Sequence, residues 1–259
     1  MKQGFLIPVY RHGVTACLIA EKVAAYGLPI IMVDDGNDEE TRIRLESCAG
    51  AFNGVSGLIQ RDQPQKLTLV RLEKNTGKGG AVISGLKKAA ELGLTHMLQI
   101  DADSQHDENM IGFFLEESAK HPDIVICGYP EFDETAPKSR VIGRKISNFW
   151  AAIVTLSTEL KDLHCGFRVY PVKRTLRVIK HSYIDKRMGF DLEILVRLYW
   201  NRVFPAYYPV KVFYPVGNLS NFHMVRDNVR VSWAFCRLCV GMLFRLPLLI
   251  AIRIKRGKE

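Results

Sequence analysis

Between Phe5 and Cys127 the sequence switches repeatedly between short apolar runs and longer amphipathic stretches. This alternation leaves the chain few architectures. Phe5–Val9, Leu28–Val33, Leu67–Leu72, His96–Ile100 and Ile124–Cys127 read as strands. Val14–Tyr26, Glu39–Cys48, Gly79–Leu92 and Glu108–Lys120 carry helical spacing, and Gly93 is placed to end the third of these helices. Strands that are apolar on both faces and alternate with helices form a parallel sheet covered on both sides. The expected fold is α/β, with a Rossmann-like, mostly parallel sheet flanked by helices. The 259 residues suffice for one such domain and an appendage, and 47% apolar content excludes a disordered or low-complexity chain.

Beyond Cys127 the pattern loosens. Tyr129–Lys138 is acidic and contains Pro130 and Pro137, as a loop would. Arg140–Leu156 and Met188–Trp200 read as helices, and Val203–Tyr208 and Lys211–Tyr214 as short strands. The tail from Asn228 to Ile254 is apolar but punctuated by Arg237, Arg245 and Arg253, with a kink expected at Pro247.

Charge separates this tail from the rest. The net charge is +9, and +6 of it falls in residues 226–259. The division expected is a domain over residues 1–225 and a basic amphipathic helical tail over 226–259. Such a helix suits the interface of an anionic membrane, with arginines reaching back to headgroups, and packing on the domain or an oligomer interface is the alternative. No run of 18 uncharged apolar residues exists, so no ordinary spanning helix is expected. The N-terminal apolar run is too short for a secretory signal, and the six scattered cysteines fit reduced thiols. These features suggest a cytoplasmic protein held peripherally on the inner face of a membrane. Nucleic-acid binding would need basic residues interleaved with aromatics on a folded face, which this distribution does not provide. Cys236-x-x-Cys239 has no second pair at zinc spacing.

Three strand ends carry candidate chemistry. Asp101-Ala102-Asp103-Ser104-Gln105-His106 puts two carboxylates at i, i+2 where the chain leaves a buried strand. Ligands of open α/β sheets bind at that edge, and carboxylate and amide oxygens suit Mg²⁺ or Mn²⁺. A solvated acidic turn is the alternative. Asp34-Asp35-Gly36-Asn37 ends a second strand, either as turn and cap residues or as a carboxylate for a base or ribose. Asn75-Thr76-Gly77-Lys78-Gly79-Gly80-Ala81 opens a helix with glycines that permit close backbone approach. It is neither a P-loop nor Gly-x-Gly-x-x-Gly, but Lys78 is available to a diphosphate or a nucleoside.

Taken in order and spacing, Ile7-Pro8-Val9-Tyr10, Val33-Asp34-Asp35-Gly36, Asn75-x-Gly77-Lys78-Gly79 and Asp101-Ala102-Asp103-x-Gln105-His106 resemble family 2 glycosyltransferases with the GT-A fold. Asp162-x-x-Cys165-Gly166-Phe167-Arg168 resembles a segment of polyprenyl- and dolichyl-phosphate sugar synthases, which usually have Ser where this chain has Cys165. The helix with Arg144, Ser147 and Asn148 resembles their acceptor-phosphate region. Gly217-Asn218-Leu219-Ser220 departs from the Glu-Gly-Gly-x-Ser of related enzymes. The likeness spans roughly residues 4–225.

The resemblance implies an inverting transferase. Its donor would be a nucleoside diphosphate sugar and its acceptor a lipid-linked molecule, polyprenyl phosphate foremost. Pro8, Tyr10, Asp34, Asp35, Lys78, Asp101 and Ala102 would then hold the donor, and Asp101, Asp103 and Gln105 the divalent metal, with Asp103 at the reaction centre. A phosphate monoester, with a second pKa near ~6, needs no base. A hydroxyl acceptor, the alternative, needs a carboxylate, and Asp191 or Glu193 are candidates. At i, i+2 on one helix they do not share a face. Arg140, Arg144 and Arg168 would clamp a phosphate acceptor, with Ser147 adding a hydroxyl. His106, His164 and His223 lie in or near these segments, as structural or acid–base groups.

Overall fold

The computed structural model describes residues 1–54, 66–103, 107–132, 138–212 and 224–256. Its first half follows the alternation in the sequence: β1 (Gln3–Val9), α1 (Gly13–Val23), β2 (Ile30–Asp34), α2 (Glu39–Phe52), β3 (Leu67–Arg71), α3 (Lys78–Glu91), β4 (His96–Gln99), α4 (Ile111–Lys120) and β5 (Val125–Glu131). Local signals set several boundaries. The Asp38 carboxylate accepts from the Thr41 amide at 2.9 Å and caps α2, whose first turn also carries Glu39 and Glu40. Gly93, at φ +71°, follows α3 in the left-handed conformation.

The second half adds α5 (Lys138–Thr155), β6 (Arg168–Pro171), α6 (Val172–Lys180), α7 (Phe190–Trp200), β7 (Pro205–Lys211), α8 (Met224–Leu243) and α9 (Leu246–Arg256). β6 and α6 are not evident in the sequence. The strand has four residues and includes an arginine, and the helix follows it without a spacer. Where two short strands were expected after Val203, one strand, β7, pairs with β5; residues 213 and 214 lie outside the described residues.

The sheet has the order β3-β2-β1-β4-β6-β5-β7. β6 runs antiparallel to both β4 and β5, and the remaining pairings are parallel. Strand side chains alternate between two cores. Phe5, Ile7 and Val9 pack with Ile19 of α1 and Phe114 of α4. Leu6, Ile31 and Val33 pack on the other face with Leu86 of α3 and Leu195 of α7.

The tail forms two helices rather than one kinked helix. α8 and α9 meet at 84°, and Pro247 stands in the first turn of α9, where its missing N–H costs no intrahelical bond. No single helix among the described residues is long and apolar enough to cross a membrane; only the bent pair is, by length and composition. Residue 226 falls inside α8, and Ala234, Phe235, Leu238, Leu249 and Ile252 share a core with α7. At its far end Arg256 donates to Glu159 at 2.6 Å and stacks 4.2 Å from the Phe204 ring.

Candidate active site

Because β1 to β4 are mutually parallel along the sheet, their carboxyl ends meet at one edge, and the 162–167 segment crosses that edge before entering antiparallel β6. A cleft of about 1390 Å³ opens there. At its sheet end it is bordered by the Pro8–His12 segment, Asp35, Lys78, Asp101, Asp103 and Asp191. Away from the sheet it continues between α5 and α8, past Ile142, Ile146, Trp150, Val231 and Phe235.

The two acidic neighbours Asp34 and Asp35 divide the work. The Oδ1 atom of Asp34 accepts from the backbone and side-chain nitrogens of Asn37 at 3.0 and 2.7 Å, which closes the turn after β2. Asp34 is a turn residue that does not border the cleft. Asp35 does border it, and its carboxylate gathers the glycine-rich loop. Oδ1 accepts from the Thr76 amide and hydroxyl at 2.7 and 2.8 Å, and Oδ2 from the Gly77 amide and Asn75 Nδ2 at 2.9 and 3.1 Å. Gly77 sits at φ +90° with Arg187 and the Lys186 carbonyl against it, so no side chain fits there.

Lys78, the first residue of α3, lies at the centre. Its Nζ is 2.8 Å from Asp101 Oδ2 and 2.7 Å from Asp191 Oδ2. Burial alone would push the ammonium down, but the two carboxylates hold it well above the usual lysine range. Asp101 also accepts from Gln99 Nε2 at 3.0 Å. A Cβ on Gly166 would stand 2.6 Å from the Asp101 carboxyl carbon, so glycine is required behind that carboxylate.

Asp103 and Ala102 border the cleft, and Gln105 and His106 lie outside the described residues. Among the described residues no three His, Cys, Asp or Glu side chains cluster as a ready metal site. The two carboxylates at the end of β4 are nevertheless oxygen donors of the kind Mg²⁺ and Mn²⁺ take, with a diphosphate able to complete the shell. Asp101 accepts from Lys78 and Gln99, one to each oxygen, and each carboxylate oxygen keeps a further lone pair for a cation.

Around the α5 side, Arg144 binds Asp162 at 2.5 Å, and Asp162 Oδ1 accepts from the amides of His164 and Cys165 at 2.9 and 2.6 Å. His164 Nε2 meets Ser147 Oγ at 2.8 Å, and burial pushes its imidazole down to about 4, so the ring is neutral at physiological pH. Arg140, Arg144 and Ser147 border the cleft. Arg168 does not. It is fully buried and donates to the carbonyls of Leu163 and Asp191 at 2.8 and 2.9 Å and to Tyr170 Oη at 3.2 Å. Its β-strand register, opposite Gln99 and Cys127, turns it into the protein. As placed, its guanidinium holds the 163–170 segment on α7 and does not face the cleft.

Asp191 and Glu193 separate as the i, i+2 spacing requires. Asp191 faces the cleft, whereas Glu193 is fully buried against α8. Four bordering arginines carry no site signal in the sequence: Arg11, Arg187, Arg226 and Arg230. The last two read as tail charge, Arg11 follows the β1 motif, and Arg187 stands just before the α7 motif with no pattern of its own. His223 and Gly217–Ser220 lie outside the described residues.

Residues 7–175 match the family model described as "Glycosyl transferase family 2". A UDP-N-acetylglucosamine–dolichyl-phosphate N-acetylglucosaminyltransferase of Methanococcus voltae is 26% identical over 215 residues, which cover 82% of this chain and 85% of that one. A dolichyl-phosphate beta-glucosyltransferase of Dictyostelium discoideum is 26% identical over 184 residues, 68% of this chain but only 52% of that one. An undecaprenyl-phosphate mannosyltransferase of Micrococcus luteus is 26% identical, with 65% of each chain covered. Among solved structures, residues 1–349 of S. aureus TarS with UDP-GlcNAc superpose at a TM-score of 0.53 and 14% identity, over 86% of this chain and 62% of that one. GalNAc-T7 with UDP, GalNAc and Mn²⁺ superposes at 0.56 and 14% identity, over 89% and 47%. The structural likenesses bear on fold alone.

Proposed function

The chain belongs to glycosyl transferase family 2 and is a glycosyltransferase, and we propose that it moves a sugar from a nucleoside diphosphate sugar to a polyprenyl phosphate. One observation carries this reading. A single cleft joins a carboxylate-and-lysine centre at the sheet edge to an apolar trough between α5 and α8 flanked by Arg140, Arg144, Arg226 and Arg230. The first part suits a nucleotide and its diphosphate. The second suits an isoprenoid chain whose phosphate is met by guanidinium groups. Relatives named for dolichyl- and undecaprenyl-phosphate acceptors support the same reading.

In this mechanism the Pro8–Tyr10 segment and Asp35 border the nucleoside, and Asp35 also keeps the glycine-rich loop in register. Asp101 and Asp103 would hold Mg²⁺ or Mn²⁺, which when bound supplies Lewis-acid stabilisation of the departing nucleoside diphosphate. Lys78 adds a fixed positive charge beside the same oxygens. The arginines align the acceptor phosphate for attack from the face opposite the leaving group, which inverts the anomeric carbon. A phosphate monoester is largely dianionic at neutral pH, so no proton need be removed. The second reading, a hydroxyl acceptor, is favoured by Asp191, a carboxylate at the cleft that would take the hydroxyl proton.

The apolar side chains Ile146 and Phe149 of α5 and Trp233 of α8 are exposed, and Arg230 and Arg237 flank Trp233 along α8. This supports peripheral attachment to the inner face of a membrane through α5, α8 and α9. The test is a screen of UDP- and GDP-sugars with Mn²⁺ by thermal shift, followed by transfer to a short polyprenyl phosphate and to the matching polyprenol. Transfer to the phosphate alone is expected. Transfer to the alcohol overturns the phosphate reading, and transfer to neither overturns both.

A further inference from the structure

Glu193 is a fully buried carboxylate that the chemistry above leaves unused. Its Oε1 accepts from Arg237 of α8 through Nε and through a terminal nitrogen, each at 3.1 Å, and lies 3.8 Å from Arg197. Its Oε2 accepts from the Asp185 amide at 2.5 Å. Arg237 also stacks over the Tyr183 ring, 5.0 Å from its centroid. One carboxylate thus ties α8, a wall of the apolar trough, to the 183–187 segment.

That segment in turn holds the nucleotide side. The Lys186 carbonyl accepts from the Gly80 amide at 2.9 Å. Arg187 donates to Asn75 Oδ1 at 2.9 Å and to the Asn75 carbonyl at 3.3 Å. Asn75 then donates to Asp35 at 3.1 Å. Hydrogen bonds on either side of the 185–187 backbone therefore link α8 to Asp35. Burial pushes the Glu193 carboxyl up, against the Asp185 amide and the two arginines, so an unpaired Glu193 would be costly. Displacing Arg237 with α8 is therefore expected to disturb the 185–187 segment as well.

We propose that Glu193 and Arg237 are positioning residues that couple occupation of the trough between α5 and α8 to the grip of the 75–77 loop on the nucleotide. The inference rests on the donor and acceptor ends assigned above. Coupling of this kind is reciprocal and is read as a change in one ligand's affinity when the other is present.

The experiment uses the whole chain and titrates UDP and GDP with Mn²⁺, with and without a short polyprenyl phosphate. In the native protein the lipid is expected to tighten binding of the preferred nucleotide at least about fivefold. Arg237→Gln, whose side chain is partly exposed, is expected to erase that change while lipid-free nucleotide affinity stays within about twofold. Arg237→Lys is expected to restore part of it, and Glu193→Gln to behave as Arg237→Gln. Full lipid response in a folded Arg237→Gln protein, or none in the native chain, overturns the coupling while the donor and acceptor assignments stand. Failure of both nucleotides to bind the native chain overturns the donor assignment and the coupling with it.

Discussion

The ammonium of Lys78 stands 2.7 Å from the Asp191 carboxylate, joining the first turn of α3 to the first turn of α7. The same nitrogen reaches Asp101 at 2.8 Å, so one cation holds the end of β4 and two helix starts together. Lys78→Met leaves two facing carboxylates without it. Transfer should fall at least about a hundredfold. Stability should fall by about 2 kcal/mol, less than for a fully buried pair because each partner keeps some water contact. Initial rates and urea midpoints measure both, and Lys78→Arg should recover the stability more than the rate.

Gly166→Ala tests the backing of Asp101. The added methyl would stand 2.6 Å from the carboxyl carbon, so the carboxylate must swing away from Lys78. The variant should fold, with a small loss of melting temperature, and lose most of its transfer activity. Native rates in this variant would show that the position of Asp101 is not critical.

Arg168 separates a structural from a ligand-binding cation. Arg168→Met strands the Leu163 and Asp191 carbonyls and Tyr170 Oη inside the protein. Destabilisation of about 3–5 kcal/mol is expected by urea unfolding. A stable Met variant that loses acceptor affinity would instead make it a phosphate clamp.

His164 should set part of the acid limb of stability. Burial lowers its folded pKa to about 4, from an unfolded value near 6.5. Between these values the unfolded chain binds the extra proton, so this contribution is complete above pH 6.5 and shrinks as pH falls toward 4. The loss amounts to as much as about 3 kcal/mol. Urea midpoints across that range should decline less steeply in His164→Asn than in the native protein.

Much of the fold was written in local signals. β1 to β5 are apolar runs stopped by turn residues, and those runs survive in the structure with boundary shifts of a few residues. β6 escaped because its four residues contain Arg168, whose burial depends on pairing with β4 and β5, over forty residues away in sequence. In the site, the sequence singled out Asp35, Lys78, Asp101 and Asp191 because each stands at a strand end or a helix start. Their partnerships were not legible. Spacing does not say that Asp34 closes its own turn, that Asp35 gathers the glycine loop, or that Lys78 bridges residues 101 and 191. The same holds for Arg226 and Arg230, which look like tail charge until α8 folds back along α5.

The right-angled junction of α8 and α9 has a mechanical consequence. α8 is pinned near its middle through Arg237, and α9 clasps the sheet domain at its far end through Arg256 and Glu159. A beam fixed at two points does not swing like a door. A guest that presses into the trough it walls therefore loads the pins themselves, and the Arg237 anchor is the nearer of the two to the cleft lining at Phe235 and Cys236.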